Sequence, residues 1–247
     1  MNSSYSSLAP YYDLLNGGTD YGEIFSFCRE EFQKNPKKIL SVLDLACGTG
    51  TLSVRFAENG YDVTALDLSE EMLSLARNKA GNLPILFSRQ NMASFELFGS
   101  VDAVVCALDS VNYLLKKDEV ASAFSRVANY LEPGGLFIFD LNTPFRLEKV
   151  FGGQDFVLEE EGVLCTWRNT FREKDRVCTF DLDFFLEQPD GSYLRESESQ
   201  KERAYSLKTV TSLLEENHLS LLSLFGSYAR EPVTPESEKW VFVCRRQ

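Results

Sequence analysis

The sequence predicts an α/β protein whose main sheet is mostly parallel and doubly wound, with a small antiparallel β insertion. Three observations carry that expectation. Apolar, strand-like runs alternate with helix-period segments from Val42 to Asn142. The first run, Val42-Leu43-Asp44-Leu45, passes through Ala46-Cys47-Gly48-Thr49-Gly50 straight into a helical stretch, Thr51 to Asn59, with Leu52 and Phe56 on one face. Beyond Phe151-Gly152-Gly153 the period drops to two and stays there to about Tyr205, as expected for strands with one buried face.

Taken in order, Tyr21, Ile24, Phe25, Cys28 and Phe32 repeat at helical spacing before the first strand. Asn59-Gly60 stops the helix after the glycine turn, and Val63-Thr64-Ala65-Leu66 forms a second strand ending at Asp67. Ser69 caps the next helix, with Glu70 and Glu71 where the helix dipole favours them. Strand three is Ile85-Leu86-Phe87. Strand four, Val101 to Leu108, is an almost unbroken apolar run of the kind buried on both faces. It leads into the polar cluster Asp109-Ser110-Val111-Asn112-Tyr113. A helix carrying Val120, Phe124, Val127 and Leu131 follows, and Pro133-Gly134-Gly135 turns into strand five, Leu136 to Asn142. The period-two region reads as about three antiparallel strands, with turns at Lys174-Asp175 and Pro189-Asp190-Gly191. Ser206 then starts a last helix, and Leu219 to Phe225 and Lys239 to Cys244 return to the main sheet.

At 247 residues the chain is long enough for one sizeable core with an appended lobe. No stretch is apolar and long enough to span a bilayer, and the start lacks a basic n-region and an apolar h-region, so the cytoplasm is the expected compartment. Acidic residues outnumber basic ones 37 to 25, a formal charge of −12 that opposes nonspecific attraction to nucleic acid. The six cysteines form no CxxC pair and mostly sit in apolar runs, so they read as reduced thiols rather than metal ligands.

The chemistry concentrates at the glycine turn. Glycine reaches positive φ without strain and brings bare backbone close to a ligand, so a nucleotide-like cofactor is the first reading. Asp67, seventeen residues after Gly50, stands at the tip of strand two, where an acidic residue takes two ribose hydroxyls. Asp44 narrows the choice. A carboxylate two residues before Ala46 repels a dinucleotide pyrophosphate and suits the sulfonium and ammonium of S-adenosylmethionine. The dinucleotide pattern also lacks its third glycine, since Gly48-x-Gly50 is followed by Ser53.

On Asp44-Leu45-Ala46-Cys47-Gly48-Thr49-Gly50, Asp67, Asn91-Met92 and Leu131-Glu132-Pro133-Gly134-Gly135, the chain resembles the class I S-adenosylmethionine-dependent methyltransferases over nearly its whole length. The Tyr11-Tyr12-Asp13 opening, the Leu108 to Leu114 segment and the insertion are similar to a bacterial small-molecule branch, the amino-sugar and glycine N-methyltransferases. That resemblance implies a seven-stranded Rossmann-like sheet whose last strand is antiparallel. It implies a cofactor domain in residues 1–150 and 206–247, and an inserted lobe in 151–205 that serves as a substrate lid or dimer contact. By position, Ala46-Cys47-Gly48 would pass under the methionyl part, with Tyr12, Asp44, Leu108 and Asp109 nearby. Asp67 would hold the ribose, Leu68 and Met92 would sandwich adenine, and Asn91 would meet its amine. Two positions depart from the family pattern: Ala46 replaces the usual glycine, and Asn91 a common aspartate.

Methyl transfer from a sulfonium needs alignment and exclusion of water more than acid-base machinery. If a base acts, Tyr11 and Asp109 are the candidates, because the one histidine, His218, lies far in sequence from the strand-end clusters. Asn112, Tyr113, Asn142, Arg146 and Arg168 are the expected acceptor-binding residues; Trp167 reads chiefly as core of the insertion. The expected activity is transfer to a nitrogen or oxygen of a small molecule, with a homodimer allowed and no nucleic-acid partner. The alternatives are a noncatalytic S-adenosylmethionine binder or sensor, a nicotinamide oxidoreductase and an RNA methyltransferase.

Overall fold

A computed structural model describes residues 9, 12, 18–160 and 162–247 of the chain. Eleven strands fall into two sheets, a seven-stranded one in the order β10-β11-β5-β4-β1-β2-β3 and a four-stranded one in the order β6-β7-β8-β9. Helix α1 (Tyr21–Lys34) leads into β1 (Ser41–Leu45), α2 (Thr51–Glu58), β2 (Asp62–Asp67), α3 (Glu70–Ala80), β3 (Ile85–Arg89) and β4 (Val101–Cys106). A 3₁₀ turn (Ser110–Tyr113), α4 (Lys117–Tyr130) and β5 (Leu131–Asn142) complete the parallel part. After a π-helical segment (Arg146–Phe151), the second sheet is built from β6 (Asp155–Glu160), β7 (Val163–Arg172), β8 (Val177–Glu187) and β9 (Tyr193–Arg203). The chain ends with α5 (Leu207–Glu216), β10 (Leu219–Phe225) and β11 (Lys239–Arg246), the last antiparallel to β5 and to β10.

Strand alternation explains why the main sheet is covered on both faces. Leu43, Leu45, Val104, Cys106, Phe137, Phe139 and Phe242 point to one core, which holds the apolar sides of α4 and α5. Val42, Val63, Ala103, Val105, Leu136, Ile138 and Val241 point to the other, against Ile24, Phe25, Cys28 and Phe32 of α1 and Leu52 and Phe56 of α2. Local signals agree with this packing: Ser69 Oγ accepts the Met72 N–H at 3.1 Å and starts α3, and the Ser206 hydroxyl does the same for Thr209 in α5. The six cysteines are unpaired.

The insertion has four strands rather than three. The additional one, β6, has only Phe156 and Leu158 facing inward and ends in Glu159-Glu160 at a sheet edge, too short and too acidic for its alternation to stand out. Its inner face joins Cys165, Cys178, Phe180, Leu182 and Phe184 around Leu147 and Phe151, a third core separate from the other two. Strand β5 also begins earlier than Leu136, because Leu131 already pairs with Val101 before an irregularity in the ladder absorbs the Pro-Gly-Gly residues.

The chain places β1, β2 and β3 outward in one direction and then returns to set β4 on the other side of β1. The crevice at such a reversal, outside the carboxyl ends of β1 and β4, is where open α/β sheets bind ligands. The inner face of the second sheet closes over it. No helix among the described residues is long and apolar enough to cross a membrane.

Candidate active site

Backbone strain marks the crevice. Ala46 at the end of β1 has φ +61, and Leu108 and Asp109 after β4 have φ +58 and +52, conformations that cost roughly 1–3 kcal/mol for residues with a Cβ. The two turn glycines have different tasks. A Cβ on Gly50 would lie 2.8 Å from the Ala76 Cβ, so Gly50 lets α2 approach α3. Gly48, at φ +54, has nothing within 4 Å of its missing side chain and borders open space.

That space is a cavity of 580 Å³ lined by Ala46, Gly48, Asp67, Leu68, Asn91, Met92 and Leu108 among others. A small annex of 30 Å³ continues it past Tyr12, Asp44 and Cys47. Asp67 is fixed by two backbone donors, the Gly48 N–H to Oδ2 at 2.9 Å and the Ser69 N–H to Oδ1 at 2.8 Å. Burial still leaves its carboxyl above the usual range. Each oxygen keeps a lone pair for a further donor. Leu68 is 53% exposed, an apolar side chain left uncovered at the cavity edge. The Asn91 Oδ1 accepts the Ala93 N–H at 2.8 Å, which holds the side chain in a local turn. Asp44 is 2% exposed and accepts the Ser53 hydroxyl at 2.5 Å; burial, opposed by that bond, pushes its carboxyl up to about 6. Burial and then the Asp44 charge push the Cys47 thiol well above its ordinary value, so it is a poor nucleophile.

A second cavity, of 320 Å³, lies between the sheets. Tyr12, Leu108, Tyr113 and Gln200 line both large cavities and stand where they meet. On one side it has Asp109, Asn142, Arg146 and Lys239, on the other Trp167, Phe180, Gln200 and Glu202 from the insertion. Lys239 Nζ is paired with the fully buried Asp140 and lies 3.5 Å from Asp109, while Tyr228 donates to Asp140 at 3.0 Å. Asn142 Nδ2 donates to Glu202 Oε2 at 2.7 Å. Tyr113 donates to Gln200 at 2.9 Å. Burial and the Asp109 charge push Glu202 well up, and burial pushes Asp109 up in turn against the pull of Lys239. The Asn142 Oδ1 and the Trp167 indole N–H are buried without hydrogen-bond partners among the described residues.

Several expected positions are corrected here. Asp109 faces the second cavity and Lys239, not the cavity of the glycine turn. Asn112 is fully buried and lines neither cavity: it exchanges bonds with the Asn142 backbone, its Nδ2 to the carbonyl at 3.1 Å and its Oδ1 from the N–H at 3.0 Å. Arg168 faces away from the cavity, because strand alternation sends it opposite to Trp167; it pairs with Asp183 at 3.2 Å on the outer surface. Trp167 does pack in the insertion's core, against Phe151, Phe156 and Phe180, and lines the cavity as well. Tyr11 and Asp13 lie outside the described residues. Asp140, Gln200, Glu202, Tyr228 and Lys239 were not among the expected site residues. A charge at position 140 inside an apolar strand was the available signal, since a buried carboxylate demands a partner.

Comparison with known proteins gives this geometry a family. A crystal structure of an S-adenosylmethionine-dependent methyltransferase from Clostridium acetobutylicum superposes with a TM-score of 0.89 at 30% identity, covering 98% of each chain. The chain belongs to the S-adenosylmethionine-dependent methyltransferases. Residues 42–135 of this methyltransferase match the family model for a methyltransferase domain. A candidate methyltransferase of Geobacillus sp. is 32% identical over 98% of the chain and its own full length. Over 53% of the chain and 56% of the relative, it is 34% identical to the Streptomyces venezuelae dTDP-3-amino-3,4,6-trideoxy-alpha-D-glucopyranose N,N-dimethyltransferase. The enzyme's cofactor is therefore S-adenosylmethionine. The residues present fit it: Asp44 and Asp67 offer carboxyls toward the turn, and Gly48 leaves open the space a Cβ would fill.

Proposed function

We propose that this methyltransferase acts on a nitrogen of a small, hydroxyl-bearing amine. The observation that carries the reading is the second cavity. Its lining has four carboxyl groups, those of Asp20, Glu23, Asp109 and Glu202, against the two cations of Arg146 and Lys239. The partnerless Asn142 Oδ1 asks for a donor, and the partnerless Trp167 N–H asks for an acceptor such as a hydroxyl oxygen. The Streptomyces venezuelae relative, named as an amino-sugar N,N-dimethyltransferase, supports the same class.

In this reading, Asp44, Ala46, Cys47, Gly48, Tyr12 and Leu108 surround the methionyl half of the cofactor. Asp67 takes the ribose hydroxyls, Leu68 and Met92 hold adenine, and the Asn91 carboxamide meets its amine. Bound there, the cofactor supplies a methyl group on a positively charged sulfur. The protein's residues do the rest. Tyr12, Leu108, Tyr113 and Gln200 frame the opening between the cavities and align the acceptor, while the insertion closes the site against water. The insertion is thus a wall of the acceptor site.

The test is S-adenosylhomocysteine formation with matched acceptors: glycine, ethanolamine and a dTDP-linked 3-aminohexose, against glycolate, ethylene glycol and the corresponding dTDP-hexose. Turnover is expected with an amine and not with its oxygen counterpart. Turnover confined to the oxygen series would refute nitrogen as the acceptor atom.

A further inference from the structure

Resting on the amine reading, we infer that Glu202, from the insertion, is the catalytic base that takes the acceptor's ammonium proton, while Asn142 Oδ1 holds a remaining N–H. The geometry points to this pair. Asn142 Nδ2 donates to Glu202 Oε2 at 2.7 Å, so the carboxamide and the carboxyl are locked side by side at the cavity wall. Both are nine-tenths or more buried, at 3% exposure each. With its NH₂ committed to Glu202, Asn142 is left with an oxygen that no group among the described residues satisfies. Side by side, an acceptor oxygen and a carboxyl match the N–H bonds of one ammonium.

An amine must shed a proton before it has a lone pair to attack with. The proton passes from nitrogen to Glu202 and on to solvent. The nitrogen lone pair then forms the new N–C bond as the S–C bond breaks and its electron pair stays on sulfur. The methylated ammonium leaves with the released proton as the balancing product. A surface carboxylate is too weak a base for this. Glu202 differs because of what surrounds it: Asp109 after β4, Asn142 of β5 and Arg146 of the π-helical segment act on it directly, while Asp20 and Glu23 at the start of α1, Lys239 of β11 and the Tyr113 and Tyr228 side chains line the same cavity. Burial and Asp109 raise its basicity and Arg146 and the Asn142 bond moderate it, which moves it toward the operating pH where a base works best. Lys239 is already engaged by Asp140 and Asp109 and leaves Glu202 unneutralised.

The experiment is the pH profile of kcat/KM, from pH 6 to 10, for wild type, Glu202→Gln and Asp109→Asn, using whichever of glycine, ethanolamine and the dTDP-linked 3-aminohexose is turned over. Wild type is expected to show a rising limb set by Glu202. In Glu202→Gln, activity should fall about 100-fold at pH 7 and recover to within about 3-fold at pH 10, where the amine arrives neutral. Asp109→Asn should shift the limb to lower pH, because the negative charge that raises Glu202 is gone. A thermal shift with S-adenosylhomocysteine equal to that of wild type shows that each variant is folded. A Glu202→Gln deficit that is constant across the range, or no deficit, overturns the base while leaving the amine reading intact. Turnover of the oxygen series alone overturns both.

Discussion

Asp44→Asn exposes a conflict between stability and cofactor binding that the structure makes quantitative. Asp44 is sealed behind the glycine turn with Ser53 as its hydroxyl partner, and its carboxyl rises from 3.8 to about 6. In the pH range between those values the folded chain holds a proton that the unfolded chain has released. Stability is therefore lost as pH rises from 3.8 to about 6, and the loss is complete above that. That rise is worth about 3 kcal/mol at pH 8, fading to nothing below the unfolded value. The carboxamide keeps an acceptor for Ser53 and carries no charge. The cofactor-free variant should thus be more stable than wild type by up to about 3 kcal/mol at pH 8 and by little at pH 4, with the difference growing across that interval. Its affinity for S-adenosylmethionine should move the other way, weakening roughly 10- to 100-fold for the loss of a charged partner. Urea unfolding at several pH values and calorimetric titration measure the two effects. A stability difference that is the same at pH 4 and pH 8, or an unchanged affinity, would refute the assignment of Asp44 as a buried charge held for the cofactor.

Three further substitutions separate ligand contact from architecture. Gly48→Ala adds a methyl group to open space at φ +54; it should cost about 1–2 kcal/mol of stability while abolishing the thermal shift with S-adenosylhomocysteine. Gly50→Ala meets Ala76 and should instead cost about 2–4 kcal/mol in urea unfolding. Asn112→Ala strands the Asn142 backbone groups and the Arg203 carbonyl, to which Asn112 donates at 3.0 Å. It should lose roughly 2–4 kcal/mol and raise the acceptor KM more than the cofactor Kd, as steady-state kinetics and titration would show.

The cofactor half of the proposed site was legible because it is local. Asp44, Ala46, Gly48 and Asp67 lie on one strand-turn-helix-strand unit, and the Gly48 N–H bonded to Asp67 joins its two ends; spacing along the chain is enough to bring them together. The proposed acceptor half is assembled from β5, β9, β11 and the residues after β4, up to some 130 positions apart. Strand β9, Tyr193–Arg203, is polar along nearly all its length, so alternation gives no hint that Gln200 and Glu202 are buried while Lys201 stays exposed. Asn112 shows the opposite error. A polar cluster at a strand end looked like a pocket floor, yet Asn112 spends its amide on backbone groups, which a buried asparagine does as readily as it meets a ligand.

The Asn112 clasp has an evolutionary consequence. It ties the end of β5 to Arg203, the point where the insertion rejoins the main fold, so the returning strand enters at a fixed height whatever precedes it. Changes between Asp155 and Gln200 leave these bonds, and with them the station of the end of β9, in place. With the insertion as the proposed wall of the acceptor site, a change of acceptor then needs no change to the cofactor half, and a chimera cut on the insertion side of this clasp is the natural unit for transplanting substrate preference.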